Sequence, residues 1–158
     1  MTPNLTPTVI DSIEDLEARV GETIGISGWI PIAQDRIDQF AEATDDRQWI
    51  HVDADRANRE SPFGAPVAHG YLTLSLLPRI VIEAMTFTPK KTGINYGLDK
   101  VRFIAPVPVG ARIRGHVALR SVERRDAQTL QIGLSVTVEI EGSEKPACIA
   151  ESIVRYLV

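Results

Sequence analysis

Between Leu130 and Ile140 the chain alternates without a break: Leu130, Ile132, Leu134, Val136, Val138 and Ile140 are apolar, separated by Gln131, Gly133, Ser135, Thr137 and Glu139. Successive side chains of a strand point to opposite faces, so this period of two predicts one buried face and one polar face. The runs "TGINYGLDKVRFIAPV", "ARIRGHVALRSVERR" and "ACIAESIVRYLV" are β-patterned as well, and turn residues separate them. An antiparallel sheet is therefore expected from the second half of the chain.

The first half is patterned differently. Residues 1–11 hold two prolines and three threonines without periodicity, which predicts an extended N-terminal arm. In "DSIEDLEARVGE", Ile13, Leu16 and Val20 form an apolar stripe, Ser12 is the expected N-cap, Asp15 sits at the third helical position and Gly21 is the stop. "IGISGWIPI" is rich in β-branched residues and reads as a strand. Ile37, Phe40 and Ala41, at i, i+3 and i+4, then make "AQDRIDQFAEAT" an amphipathic helix. From Thr44 to Ala68 charges are scattered and "SPFGAPV" breaks any period, so a long irregular excursion is expected, with a short helix beginning near Asp53. Excursions of this kind often carry function.

From His69 to Ala84, Leu72, Leu74, Leu76, Leu77, Ile80, Val81 and Ile82 cover the whole helical circumference. Such a helix is expected to be buried nearly all round, and to bend or end near Pro78, whose ring removes a backbone donor. A long antiparallel sheet wrapped around this central apolar helix is an α+β architecture of the hotdog type. At 158 residues and 44% hydrophobic, the chain suffices for one substantial core, so 1–158 is read as a single domain.

The formal net charge of −4 argues against a nucleic-acid binder that works by neutralising phosphates, although a few local cations could still hold an anionic ligand. Cys148 is the only cysteine, so no internal disulfide or Cys-rich zinc scaffold can form, and a reducing compartment fits. It is expected in a strand as a small buried hydrophobe. The N-terminus lacks the basic start and apolar run of a secretory signal, and no apolar stretch spans a bilayer, so a soluble cytoplasmic protein is expected.

Three histidines carry the candidate chemistry. His116 alternates with Arg112 and Arg114, which predicts an exposed sheet position. His51 and His69 flank the irregular excursion and can converge in space. Asp53 and Asp55 lie close to His51, yet their loose spacing matches no structural-zinc pattern, and no metal is expected. Asp46 and His51 are the more useful pair. Five residues apart across a turn, they can face one cavity, where imidazole exchanges a proton near neutral pH and carboxylate orients a water or takes its proton. Gly70 opens the apolar helix, where free N–H groups favour a developing negative charge on oxygen and a glycine lets a ligand approach closely.

The stretch "ATDDRQWIHVDADRANRESPFGAPVAHGYLTLSLL" resembles the signature of the MaoC-like (R)-specific enoyl-CoA hydratases, D-x-N-P-x-H followed by a short helix and an "AHG" helix start. "QWIHVD" and "INYGLDKVRFIAPVPVGARIRG" resemble the nodulation protein N-like branch of that family, and the similarity runs from about Trp29 to the C-terminus. The resemblance implies a homodimer that adds water to a trans-2-enoyl-CoA, giving an (R)-3-hydroxyacyl-CoA, or runs the reverse dehydration, without a cofactor. Carried over by position, Asp46 and His51 become the acid/base pair and Gly70 the oxyanion donor, while Asp45 misses the spacing and is assigned to the turn.

Two positions depart from the pattern. Gln48 and Trp49 replace Asn-Pro: Gln48 keeps an amide able to support the histidine or the water, but the fixed φ of proline is gone. Pro78 stands where some relatives place a serine. Lys90, Lys91, Lys100, Arg102 and Arg79 are candidates for the CoA phosphates, and none is assigned. Two rival readings use the same architecture: an acyl-CoA thioesterase, and a non-catalytic acyl-thioester binding protein.

Overall fold

Local chemistry in the first half acts largely as its spacing predicts. A computed structural model describes residues 6–158, and the first five residues of the expected arm lie outside the described residues. Strand β1 (Thr8–Ile10) precedes helix α1 (Ile13–Ala18), which Ser12 caps by accepting the Asp15 N–H at 3.0 Å. The single strand expected over 24–32 is instead two, β2 (Thr23–Ile26) and β3 (Ile30–Pro31). Between them the hydroxyl of buried Ser27 accepts the Gly115 N–H at 2.9 Å, so a side chain takes over one bond that the ladder would otherwise make.

Helix α2 (Gln34–Thr44) leads to two short helices, α3 (Trp49–Val52) and α4 (Ala54–Glu60), and Asp53 caps α4 through the Arg56 N–H at 2.9 Å. The apolar helix is divided into α5 (Gly70–Ser75) and α6 (Leu77–Ala84), sharing Leu76 as a cap. Pro78 lies in the first turn of α6, where its missing N–H has no intrahelical partner to lose. It begins the second helix and does not kink a continuous one. Strand β4 (Met85–Phe87) then pairs in parallel with β1.

The four long strands follow: β5 (Thr92–Phe103), β6 (Arg112–Arg124), β7 (Thr129–Ile140) and β8 (Cys148–Leu157). They form an antiparallel sheet in the order β2-β6-β7-β8-β5, with β3 also on β6. Every apolar position of the β7 alternation is buried. Those side chains meet Leu72, Leu77, Ile80 and Ala84 of α5 and α6, and this contact is the core. Cys148 is buried at the start of β8, and burial pushes its thiol up to about 11, so the thiolate is disfavoured there. Among the described residues, no helix is long and apolar enough to cross a membrane.

The helix is less enclosed than its sequence suggests, because Tyr71 is 67% and Ile82 64% exposed. Strand β5 occupies the far edge, next to β8, and leaves a gap of about 640 Å³ lined by Leu74, Pro78, Val81, Ile82, Tyr96 and Val154 among others. Along β5 only Val101 is even half-buried.

The helix touches the sheet where side chains are missing. A Cβ built on Gly25 would lie 2.2 Å from the carbonyl oxygen of Ala84, at the end of α6. Backbone cannot swing aside as a side-chain tip does, so Gly25→Ala is expected to cost about 1–3 kcal/mol, as overpacked cores do. Gly28→Ala is the matched control, since its nearest neighbour is the Glu83 carboxylate at 3.4 Å. A melting comparison checks this: Gly25→Ala should fall by several degrees and Gly28→Ala by about one or none.

Candidate active site

The turn between α2 and α3 carries the first candidate group. Helix α2 ends on Asp45 in the left-handed conformation (φ 60°), the one non-glycine positive φ among the described residues, and aspartate tolerates it better than most. Arg47 returns to Glu42 and Asp45 with bonds of 2.6–2.9 Å, so Asp45 belongs to the turn's own ion pairs. Asp46 follows, exposed, with one carboxylate oxygen 3.4 Å from the Gln48 N–H.

Gln48 precedes α3 with φ −57° and ψ 134°, the backbone region favoured before a proline, and Trp49 is the first residue of α3, where proline is well tolerated. The turn therefore keeps the shape that Asn-Pro would favour. Trp49 is half-buried with the Arg56 guanidinium 4.3 Å above its ring, a cation–π contact between α3 and α4. The Gln48 side chain is exposed and makes no hydrogen bond among the described residues.

Helix α3 turns His51 inward, where it is 7% exposed. Its Nδ1 lies 2.6 Å from the carbonyl oxygen of Val67. A carbonyl only accepts, so Nδ1 carries the proton and the neutral ring presents a bare Nε2. Burial lowers the His51 pKa from 6.5; His69 lowers it further, while the Val67 carbonyl and Asp46 raise it, and the net direction is down. The Gln34 amide donates to the His51 carbonyl at 2.8 Å and holds the backbone of α3.

His69, at the N-cap of α5, is 2% exposed and stacks on His51, with ring centroids 3.8 Å apart and planes at 25°. Its Nε2–H donates to the Asp46 carbonyl at 2.9 Å. Gly70 follows as the first residue of α5, so its N–H has no intrahelical acceptor. His51 and Gly70 line one cavity of about 320 Å³, together with Phe63, Thr73, Phe103 and Pro106 among others. Phe103 covers Gly70 closely: a Cβ there would lie 3.1 Å from its ring.

One ligand atom from each of Asp46, His51 and His69 lies within 4.8 Å of the others, which invites a cation. The ring geometry opposes it. Two imidazole planes at 25° and 3.8 Å apart cannot both aim an in-plane lone pair at one ion at roughly 2.1 Å, so the stack would have to open first.

The structure thus brings Asp46 and His51 together and sets Gly70 in the His51 cavity, while the exposed Gln48 side chain bonds to none of them among the described residues. The convergence of His51 and His69 is realised as a stack. Not legible in the sequence were the Val67 carbonyl, the Gln34 anchor and Phe103, which come from the loop before α5, the start of α2 and the end of β5. His116 is half-exposed on the sheet, 2.7 Å from Glu139, and is not among the residues lining the His51 cavity. Of the cationic candidates, Arg79 pairs with Glu83 at 2.8 Å and Lys91 bonds the Val158 carbonyl at 2.9 Å.

Comparison with known proteins matches the chain to one family. The model of the MaoC like domain matches residues 15–140. The chain is 53% identical over 147 residues to 3-hydroxyacyl-thioester dehydratase Z of Mycobacterium tuberculosis, covering 93% of this chain and 97% of that protein. It is 47% identical over 143 residues to nodulation protein N of Rhizobium leguminosarum bv. viciae, covering 90% and 89%. Its fold is also that of the (R)-hydratase from A. caviae involved in PHA biosynthesis, with a TM-score of 0.67 at 23% identity, over 85% of this chain and 96% of that one. With the hotdog sheet, the divided apolar helix and the Asp46–His51 turn all in place, the chain belongs to the MaoC-like dehydratase family.

Proposed function

We propose that the protein is a hydro-lyase that interconverts a trans-2-enoyl thioester and an (R)-3-hydroxyacyl thioester, with acyl-CoA as the substrate carrier and no cofactor. The observation that carries the reading is a neutral His51, its Nδ1–H held by the Val67 carbonyl, that lines one cavity with Gly70 and has a ring nitrogen within 4.8 Å of an Asp46 carboxylate oxygen. In hydration, the Gly70 N–H takes the thioester carbonyl oxygen and draws electron density from C3. Asp46 orients a water, His51 Nε2 accepts its proton as the oxygen adds to C3, and a proton returns to C2 as the enolate collapses. Dehydration is the same path reversed. The relative named a 3-hydroxyacyl-thioester dehydratase supports the reaction class.

Loss of the enoyl-CoA absorbance with crotonyl-CoA, and a 3-hydroxyacyl product of R configuration, tests this. Release of free thiol without hydroxyacyl product would assign the site to thioester hydrolysis instead. Tight acyl-CoA binding without turnover at any chain length would make it a binding protein.

A second copy of the chain completes the reading. Strand β5 is an edge of twelve residues with one side unpaired among the described residues, and Ile94, Tyr96, Leu98 and Phe103 on it are each 45–55% exposed. An edge so long and apolar is one that proteins cover, and pairing with its own copy does so symmetrically. Light scattering after size exclusion is expected to give twice the chain mass, and a monomer at micromolar concentration would refute it. With a single buried cysteine, the chain suits a reducing compartment, and the reading assigns it to the cytoplasm.

A further inference from the structure

Asp46 and Gly70 come from different parts of the chain, and the turn that carries Asp46 is exposed. Its other side-chain bonds stay local: Arg47 reaches Glu42 and Asp45, and the Gln48 N–H reaches Asp46. One side chain crosses 23 positions to reach it. His69 donates from Nε2 to the Asp46 carbonyl at 2.9 Å, lies against the His51 ring at 3.8 Å and packs on Phe40 at 4.9 Å. Its own backbone is the N-cap of the helix that begins with Gly70.

We propose that His69 is a positioning residue, holding the Asp46 turn, the His51 ring and the Gly70 N–H in mutual register. This inference rests on the acid/base reading of Asp46 and His51 given above. Packing alone is a poor reason for histidine here. With Nε2 donating, Nδ1 is a buried acceptor that has no partner among the described residues, and an unpaired buried polar atom lowers stability. A phenylalanine would fill the same slot between His51 and Phe40 without that cost. What histidine adds is the donor, and the donor's acceptor is the backbone of Asp46.

The test compares three variants of the full chain in the crotonyl-CoA assay, each with a melting curve. His69→Phe keeps a ring in the stack and deletes the donor. Misplacing a reacting group by about an ångström costs about 100-fold, so its kcat is expected to fall on that order while KM changes by less than about threefold. In His69→Gln the amide nitrogen falls near the lost Nε2 and is expected to recover most of the rate. In His69→Asn the amide is one bond shorter and falls near Nδ1, so the rate stays low. A rate for His69→Phe equal to or above that of His69→Gln would overturn the inference and leave His69 a packing residue. If His69→Phe does not fold, the Gln and Asn variants, equal in polarity, decide alone: equal kcat overturns it. His51→Gln is assayed alongside. Should His51→Gln remain active, the acid/base reading has failed; if it is inactive while His69→Phe turns over normally, only the positioning role has failed.

Discussion

Asp46→Asn and His51→Gln are each expected to slow crotonyl-CoA hydration by about 10²–10⁴-fold, the usual contribution of a positioned general acid or base. They should part company in stability. Asp46 is exposed, so its variant should melt near the parent temperature. His51 is buried on the Val67 carbonyl at 2.6 Å, and glutamine does not restore the Nδ1 donor, so that variant should lose about 1–3 kcal/mol. His51→Asn separates the two effects, because its amide can still meet Val67 while the Nε2 base is gone. Near-parental turnover in any of these folded variants removes that residue from the mechanism.

The pH profile follows with a definite sign. Burial holds the folded His51 pKa below 6.5, and the working form is neutral, so kcat/KM should be flat near pH 7 and fall only at acid pH, with a midpoint below 6.5. Stability moves the same way. The unfolded chain takes up this proton near 6.5 and the folded chain resists it, so the contribution of His51 is complete above 6.5 and declines as pH drops below. Asp46 raises the His51 pKa, so the residual activity of Asp46→Asn should keep its acid limb at a still lower pH. A limb at or above 6.5 in the parent protein would contradict a buried neutral base.

The second large effect concerns Gly70. His69 has φ −60° and ψ 138°, the region preferred before proline, and the first helical position accepts proline readily. Gly70→Pro therefore deletes one N–H and leaves the helix start in place. Loss of a single oxyanion donor is worth about 10²–10³ in kcat. Gly70→Ala is the matched control: it adds a Cβ against the Phe103 ring but keeps the N–H, and Phe103, 46% exposed, can yield by a few tenths of an ångström. A proline variant that loses no more kcat than the alanine variant would place the oxyanion donor elsewhere.

Patterns that act over a few residues were readable from the chain by itself. The alternation of Leu130 to Ile140, the Ser12 cap, the Asp53 cap and the apolar helix after His69 all follow from periodicity and hydrogen bonding within one or two turns. The spacing of Asp46 to His51 and the glycine after His69 were legible for the same reason, and they carried the family resemblance. Tertiary structure decided what depends on distant partners. The central helix looked enclosed on every side, yet β5 lies beyond β8 at the sheet edge and leaves Ile82 facing a gap. Strand order depends on which edges and faces remain free after the others pair, and periodicity does not encode that. Trp49 stands where the family pattern has proline, and the Arg56 that packs over its ring comes from one helix further on. The tautomer of His51 depends on a carbonyl at Val67, and every residue has a carbonyl, so no side-chain pattern announces it. The sequence alone named Asp46, His51 and Gly70; the folded chain supplied the partners that orient them, because those partners are mostly backbone groups and rings brought in from afar.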